Sequence, residues 1–144
     1  MERPACPFSA IGDMLPSMQK LSIETPGRTA WLDITAQVQA ATADLGVRDG
    51  AITVFVPHTT AGITINENAD PDVLADLERA LERMVPWRAD YRHNEGNAAA
   101  HVKASLMGSS VRVFVCAGRL QLGTWQSIFF CEFDGPRTRS VWVA

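Results

Sequence analysis

The chain has 144 residues, 47% hydrophobic and 20% charged, which is the composition of one globular domain with an apolar core. Its formal net charge is −3 and it has no run of Lys or Arg, so nucleic acids and anionic membranes are not expected partners. Three dispersed cysteines without a C-x-x-C pair predict reduced thiols, and the lack of a signal peptide or a long apolar segment predicts a cytoplasmic protein.

The sequence pattern changes near residue 17, from an irregular segment to alternating apolar and polar residues. Residues 1–16 contain three prolines and no regular period, which predicts an irregular extension before a domain of residues 17–144. Alternating apolar residues then predict one strand over 18–23 and a second over 31–34. The Pro26-Gly27 turn between them favours a β-hairpin.

Capping residues mark the starts of three predicted helices. Thr35 precedes a helical period and is expected to cap the first helix. Asp70 followed by Pro71 is a strong start for the longest helix, so we interpret Asp70 as a cap and not as a catalytic acid. Asn97 is the expected cap of a short alanine-rich helix that ends near Gly108.

The remaining apolar and β-branched runs predict strands. They cover 51–56, 63–65, 111–115, 120–122, 125–133 and 139–143. Helices grouped between two β stretches favour an α+β domain over a doubly wound parallel sheet. The predicted fold is therefore a single domain with a mainly antiparallel sheet and two to three helices.

All three histidines lie in polar, turn-like or cap-adjacent segments. His58 follows a predicted strand and precedes Thr59 and Thr60, a corner that suits an anion. His93 lies in a loop of ionisable and amide side chains, and His101 on the next helix. Neutral imidazoles bind zinc well, so we expect one polar site able to hold a metal ion. The alternative is that the three histidines share no site. His58 would then be a turn residue bonded to the backbone, His93 a solvated loop residue and His101 a residue on a helix surface.

Carboxylates and an amide near the histidines are further candidates. Asp90 and Glu67 could orient an imidazole through its second nitrogen, or transfer protons. Glu67 could equally be a solvent-facing residue at the end of a strand. Asn97 and His101 are four residues apart and share one helix face.

Two arginines and the group Gly123-Thr124-Trp125-Gln126 complete the candidate set. Arg137 and Arg139 carry planar donors that suit phosphate or carboxylate, although isolated arginines on edge strands are also common surface charges. Cys116 and Cys131 lie in apolar runs and are interpreted as small hydrophobic residues.

Six ordered motifs together resemble the YjbQ-like protein family. They are His58-Thr59-Thr60-Ala61, Ile65-Asn66-Glu67-Asn68, Asp90-Tyr91-Arg92-His93, Asn97 through His101, Leu122-Gly123-Thr124-Trp125-Gln126 and Gly135-Pro136-Arg137. The resemblance runs from Gln19 to Val143 and leaves out the first sixteen residues.

This resemblance implies an α+β fold with an antiparallel sheet and a homotrimer around a threefold axis. It also carries the family label of secondary thiamine-phosphate synthase, a transferase that joins a pyrimidine methyl diphosphate to a thiazole phosphate and expels pyrophosphate. The family's recurrent His and Asp positions fall on His58, Asp90, His93 and His101, with Glu67 and Asn97 in adjoining motifs.

Three hypotheses about function follow, and each involves a small phosphorylated molecule or a similar ligand. The first is the transferase, with the three histidines on a metal ion, Asp90, Glu67 and Asn97 as catalytic groups, and phosphate contacts from Thr59, Thr60, Gln126, Arg137 and Arg139. The second is a metal-dependent hydrolase, and the third is a non-catalytic trimeric binding module. Because magnesium prefers oxygen ligands, a histidine-rich centre favours zinc.

Overall fold

The computed structural model describes residues 18–144, so the predicted extension 1–16 and the boundary at residue 17 lie outside the described residues. The elements, in chain order, are β1 (Gln19–Glu24), β2 (Ala30–Asp33), α1 (Thr35–Asp44), β3 (Gly50–Phe55), β4 (Ala61–Glu67), α2 (Pro71–Met84), α3 (Ala98–Met107), β5 (Ser110–Cys116), β6 (Arg119–Leu120), β7 (Gln126–Glu132) and β8 (Thr138–Val143). No helix in this part of the chain is long and apolar enough to cross a bilayer.

The strands form two antiparallel sheets. One has five strands in the order β1-β8-β3-β5-β6, and the other has three in the order β2-β7-β4. Every strand pairing in the described residues is antiparallel. The predicted α+β class, with a mainly antiparallel sheet and up to three helices, is confirmed.

The predicted hairpin of β1 and β2 is wrong. β1 pairs with β8 and β2 pairs with β7, so the two strands belong to different sheets. The turn between them bonds to the β7–β8 connection instead of closing on itself: the Thr25 N–H donates to the Arg137 carbonyl at 2.9 Å, and the Gly135 N–H donates to the Arg28 carbonyl at 3.2 Å. The Pro26-Gly27 turn thus carries the chain from one sheet to the other.

Two apolar layers hold the domain together. The larger lies between the two sheets and includes Ile52, Val54, Ile63, Ile128, Phe130 and Val141, with Val38 of α1 packed into it. The smaller joins the three-stranded sheet to α2 and α3 through Leu81, Ala100, Ala104, Phe129, Cys131 and Phe133. α2 and α3 therefore cover one face of the smaller sheet, while no helix within residues 18–144 packs on the outer face of the larger sheet.

Local hydrogen bonding explains how the helices begin. The Asp70 carboxylate accepts the Asp72 N–H at 2.9 Å, which confirms the predicted cap of α2. The predicted Thr35 cap is wrong, because the N-cap position of α1 is Ile34. The Thr35 hydroxyl instead accepts the N–H of Ile128 at 2.9 Å and so ties α1 to β7.

The outer face of the five-stranded sheet exposes aromatic side chains. Phe114 of β5 is 69% exposed. Phe55 of β3 is also exposed, and its ring lies 5.6 Å from that of Trp142 on β8. A large exposed apolar area of this kind commonly marks an interaction surface.

Candidate functional site

A cavity of about 380 Å³ opens at one end of the three-stranded sheet. The β3–β4 connection, the loop before α3 with the start of α3, and the β7–β8 connection with the start of β8 form its walls. These segments meet because Ala61 at the start of β4 lies opposite Glu132 at the end of β7. The lining residues are Pro57, His58, Thr59, Thr60, His93, Glu95, Asn97, His101, Asp134, Arg137 and Arg139.

Most of the predicted site residues line this one cavity. They are His58, Thr59, Thr60, His93, Asn97, His101, Arg137 and Arg139. The fold therefore brings the three histidines to one opening from three separate segments. Their chemical roles stay predictions.

Three predicted site residues lie elsewhere in the chain. Glu67 and Gln126 pair with each other at the far end of β4 and β7, six residues along β4 from Ala61. At about 3.4 Å per residue, that places them roughly 20 Å from the cavity. Asp90 is exposed in the loop between α2 and α3 and does not line the cavity. Within one chain, Glu67, Asp90 and Gln126 therefore lie outside the site.

A buried ion pair forms the floor of the cavity. Arg139 is 5% exposed and Glu132 is fully buried. Nε of Arg139 donates to Oε2 of Glu132 at 2.8 Å, and Nη2 donates to Oε1 at 2.6 Å. Nη2 also donates to the Thr60 hydroxyl at 2.9 Å. Nη1 has no hydrogen-bond partner among residues 18–144, so it is the guanidinium nitrogen left for a ligand.

Glu132 holds this arginine in place. Its Oε1 accepts the N–H groups of Phe133 at 3.0 Å and Asp134 at 2.9 Å, and its Oε2 accepts the Thr25 hydroxyl at 2.9 Å. Burial raises the pKa of Glu132, but the hydrogen bonds from Arg139, Asp134 and Thr25 outweigh burial, and the net effect lowers that pKa. Glu132 is therefore an anion that fixes the Arg139 fork in one orientation.

His58 has a defined tautomer. Its Nε2 accepts the backbone N–H of Ser140 at 2.9 Å, so a neutral ring carries its proton on Nδ1. Burial, followed by the positive charge of Arg139, lowers the pKa of His58. At neutral pH this imidazole is a neutral donor through Nδ1.

Asn97 presents a buried amide oxygen. The residue is 7% exposed, and its Nδ2 donates to Oδ2 of Asp134 at 2.9 Å and lies 3.5 Å from Oε2 of Glu95. It occupies the predicted N-cap position of α3 but makes no capping bond, because its amide group is turned toward these carboxylates. Within the described residues its Oδ1 has no donor, although buried acceptors are normally satisfied.

His93 and His101 lie edge to face across the opening. Their ring centroids are 5.2 Å apart at an interplanar angle of 87°. Nε2 of His93 is 3.9 Å from Oε2 of Glu95. These two imidazoles are close enough to act on one bound atom, and Glu95 can interact with the first of them.

The donor groups around the cavity fit the predicted metal ion only in part. In residues 18–144, no group of three or more His, Cys, Asp or Glu side chains is assembled for a metal. His93, His101 and the unpartnered Oδ1 of Asn97 fit a cation in part, because imidazole nitrogen and amide oxygen are both metal ligands. His58 fits less well, because the Ser140 N–H uses the lone pair of its Nε2.

The cavity therefore has two chemically different halves. The donor half offers hydroxyl, imidazole and guanidinium groups from His58, Thr59, Thr60, Arg137 and Arg139. The acceptor half offers imidazole, amide and carboxylate groups from His93, Glu95, Asn97, His101 and Asp134. Asp134 joins the halves, because its Oδ2 accepts both Nη2 of Arg137 at 2.8 Å and Nδ2 of Asn97. Such an arrangement can hold an anion beside groups that transfer protons or bind a cation.

Three important residues were not predicted from the sequence. Glu95 lies in the loop that contains His93. Several other polar residues of that loop were equally plausible site residues, so the sequence did not single out Glu95. Asp134 lies between the predicted strand 125–133 and Gly135-Pro136, and no motif contained it. Glu132 offered a usable signal, since it is the one charged residue between Trp125 and Phe133 in an otherwise mostly apolar strand.

Comparisons with known proteins identify the family. Residues 19–144 match the family model described as "UPF0047 protein YjbQ-like". The chain belongs to this family. UPF0047 protein YugU of Bacillus subtilis is 52% identical over 127 residues, which cover 88% of this chain and 96% of that relative. The predicted family resemblance is confirmed.

Solved structures of the family share the fold. An uncharacterised conserved protein of the YjbQ/UPF0047 family from Clostridium acetobutylicum has a TM-score of 0.85 and 53% identity, over 88% of this chain and 98% of that one. A YbjQ-like protein of unknown function from Sulfolobus solfataricus has a TM-score of 0.83 and 32% identity, over 88% of this chain and 94% of that one. The reaction and its substrate stay predictions.

Proposed function

We propose that the cavity binds the phosphate group of a small phosphorylated molecule in its donor half. The observation that carries this proposal is the fixed Arg139 fork, which leaves Nη1 without a partner among residues 18–144, in a wall that also contains His58. Because Glu132 already neutralises and orients this arginine, a ligand phosphate gains a preorganised donor without ordering a flexible side chain. Arg137 and the hydroxyl of Thr59 add further donors at the same opening.

Titration with inorganic phosphate tests this binding site. We expect the parent protein to bind phosphate, and Arg137→Gln to weaken binding about tenfold, as loss of one charge-assisted hydrogen bond implies. Arg83→Gln on the exposed surface of α2 is the matched control and should bind like the parent. Calorimetric titration of Thr59→Val with phosphate tests whether the Thr59 hydroxyl contributes to phosphate binding. Thr124→Val, at an exposed position, is its control. Failure of the parent to bind phosphate would remove the proposal, and equal phosphate affinity for Arg137→Gln and the parent would remove Arg137 from the site.

The reaction that we propose for this site is the transferase reaction implied by the family resemblance, which joins a pyrimidine methyl diphosphate to a thiazole phosphate and releases pyrophosphate. Support comes from the position of His93 and His101 next to the donor half, where an imidazole can accept or donate a proton as a leaving group departs. The direct assay supplies pyrimidine methyl diphosphate and thiazole phosphate and measures thiamine phosphate. If the protein binds phosphate normally but forms no thiamine phosphate, the transferase is rejected. The metal-dependent hydrolase and the binding module would then be the remaining hypotheses.

A divalent cation in the acceptor half is a second part of the proposal, with zinc preferred to magnesium. The unpartnered buried Oδ1 of Asn97 favours it, together with the neighbouring imidazoles of His93 and His101. When bound, such an ion would supply charge stabilisation to the departing pyrophosphate. Elemental analysis of untagged protein purified without chelator should find metal in the parent and in His58→Ala, but not in His93→Ala/His101→Ala. Equal metal content in the parent and the double variant would refute this assignment.

The homotrimer is also our proposal, with a second copy of the chain on the outer face of the five-stranded sheet. The exposed ring of Phe114, beside Phe55 and Trp142, supports an interface there. In a trimer, Glu67 and Gln126 of one subunit could approach the cavity of its neighbour. We expect sedimentation analysis to give three times the chain mass and Phe114→Lys to shift it toward the monomer.

Shared sites would produce complementation between variants. Glu67→Ala and His58→Ala are each expected to lose turnover as pure assemblies. Mixed assemblies, refolded together, would regain turnover where an intact Glu67 from one subunit meets an intact His58 from another. Full turnover by pure Glu67→Ala would instead show that this carboxylate is not part of the site.

A further inference from the structure

A second cavity borders the phosphate site at two histidines. It measures about 520 Å³ and shares His58, Thr59 and His101 with the first cavity. Its remaining wall consists of Ala61, Ala104, Ser105, Gly108 and Ser109. The two cavities are therefore neighbours, called here the first and second lobes, and the shared His58 and His101 lie at the border between them.

The second lobe differs from the first in chemistry. Apart from the shared histidines, no residue of its wall carries a charge. The Ser105 hydroxyl is already used, because it donates to the His101 carbonyl at 2.9 Å. The remaining side chains of the wall are too small to fill the space. A lobe with this lining favours an uncharged organic group over a second phosphate.

The wall of this lobe is also rigid. β4 packs directly on the end of α3, so that a Cβ added at Gly62 would lie 2.9 Å from the carbonyl oxygen of Gly108. The Ile63 N–H donates to that same carbonyl at 3.1 Å, and the Val56 N–H donates to the Ser109 carbonyl at 2.7 Å. Because the backbone is held at both sides, the lobe keeps its shape without a ligand.

We propose that this second lobe is the subsite for the uncharged, ring-sized organic part of the phosphorylated ligand. This inference rests on the proposed phosphate site, because the ligand is anchored there. The bond between phosphate and organic group then lies at the border between the lobes, next to His58 and His101. Ligands with a second charged group at this distance would be rejected, since the lobe offers no charged partner.

The test compares inorganic phosphate with phenyl phosphate by calorimetric titration of the full chain. Phenyl phosphate should bind the parent at least about tenfold more tightly, because its ring leaves water for the second lobe. Ser109→Leu fills the lobe and should abolish this advantage while inorganic phosphate still binds within about twofold of the parent. Ser110→Leu, at the neighbouring exposed position outside the lining, is the matched control and should keep the advantage.

A second variant guards against misfolding. Ser105→Leu fills the same lobe from an exposed helix position, and thermal unfolding reports whether each variant is folded. If the parent binds inorganic phosphate but binds phenyl phosphate no more tightly, the second lobe is not a subsite for the organic group. The proposed phosphate site would be unaffected by that result. Failure of the parent to bind either compound would overturn the phosphate site and this inference with it.

Discussion

Replacing Glu132 by Gln removes the negative charge beneath the cavity and leaves Arg139 as a buried, uncompensated cation. The pair is 0% and 5% exposed, respectively, so water cannot replace the lost carboxylate. A glutamine oxygen can still accept the N–H groups of Phe133 and Asp134. Its amide nitrogen, however, cannot accept the hydrogen bonds that Arg139 and Thr25 now donate.

The expected cost is large for a single substitution. Breaking a buried ion pair by removing one partner costs about 3–5 kcal/mol of unfolding free energy. For a domain of this size that lowers the melting temperature by roughly 10–20 °C. Urea denaturation at pH 7 measures the loss directly. Glu24→Gln, an exposed glutamate on β1, is the matched control and should change stability by less than about 0.5 kcal/mol.

Measurements at acid pH and a double variant test whether the lost ion pair with Arg139 causes the loss of stability in Glu132→Gln. The pKa of Glu132 is lowered in the folded state, so its stabilisation is present above the unfolded pKa of about 4 and is lost as pH falls through the folded value. The stability gap between the parent and Glu132→Gln should therefore narrow in acid. Adding Arg139→Met to Glu132→Gln should cost less than Arg139→Met does alone. A loss below about 1 kcal/mol at pH 7 would refute the ion-pair reasoning.

Three other predictions concern single positions. Because the pKa of His58 is lowered in the fold, stability should decline as pH falls below about 6.5, and pH-dependent denaturation of His58→Gln should show a weaker slope there. Asp70→Ala should destabilise the protein by about 1 kcal/mol in urea through loss of the α2 cap; no change would mean that the cap is not needed. Gly62→Ala should cost about 1–3 kcal/mol because its Cβ meets the Gly108 carbonyl, whereas Gly27→Ala, which has open space, should be close to neutral in the same assay.

Much of the local structure could be predicted from the sequence. The Asp70-Pro71 start of α2 and the Gly108 end of α3 were predicted because capping and φ preferences act within a few residues. Alternating apolar residues located most strands for the same reason. Thr35 failed as a cap because its hydroxyl bonds to Ile128, 93 residues away in the chain, and no local rule contains that partner.

The candidate site shows the same division. Residue chemistry selected His58, His93 and His101 as a polar group, and the motifs pointed to one family. Only the pairing of β4 with β7, which places Ala61 beside Glu132, brought those histidines to one cavity and left Glu67 at the opposite end.

The sequence by itself determined the types of secondary structure, the fold class and the set of reactive side chains, because these follow from local preferences and composition. The tertiary structure decided which strands are neighbours, which lone pair of His58 is used and why Arg139 is a fixed donor. These depend on hydrogen bonds between residues far apart in the chain, such as His58 with Ser140. Contacts of that range are set by the packing of both sheets together, so they could be seen only in the folded chain.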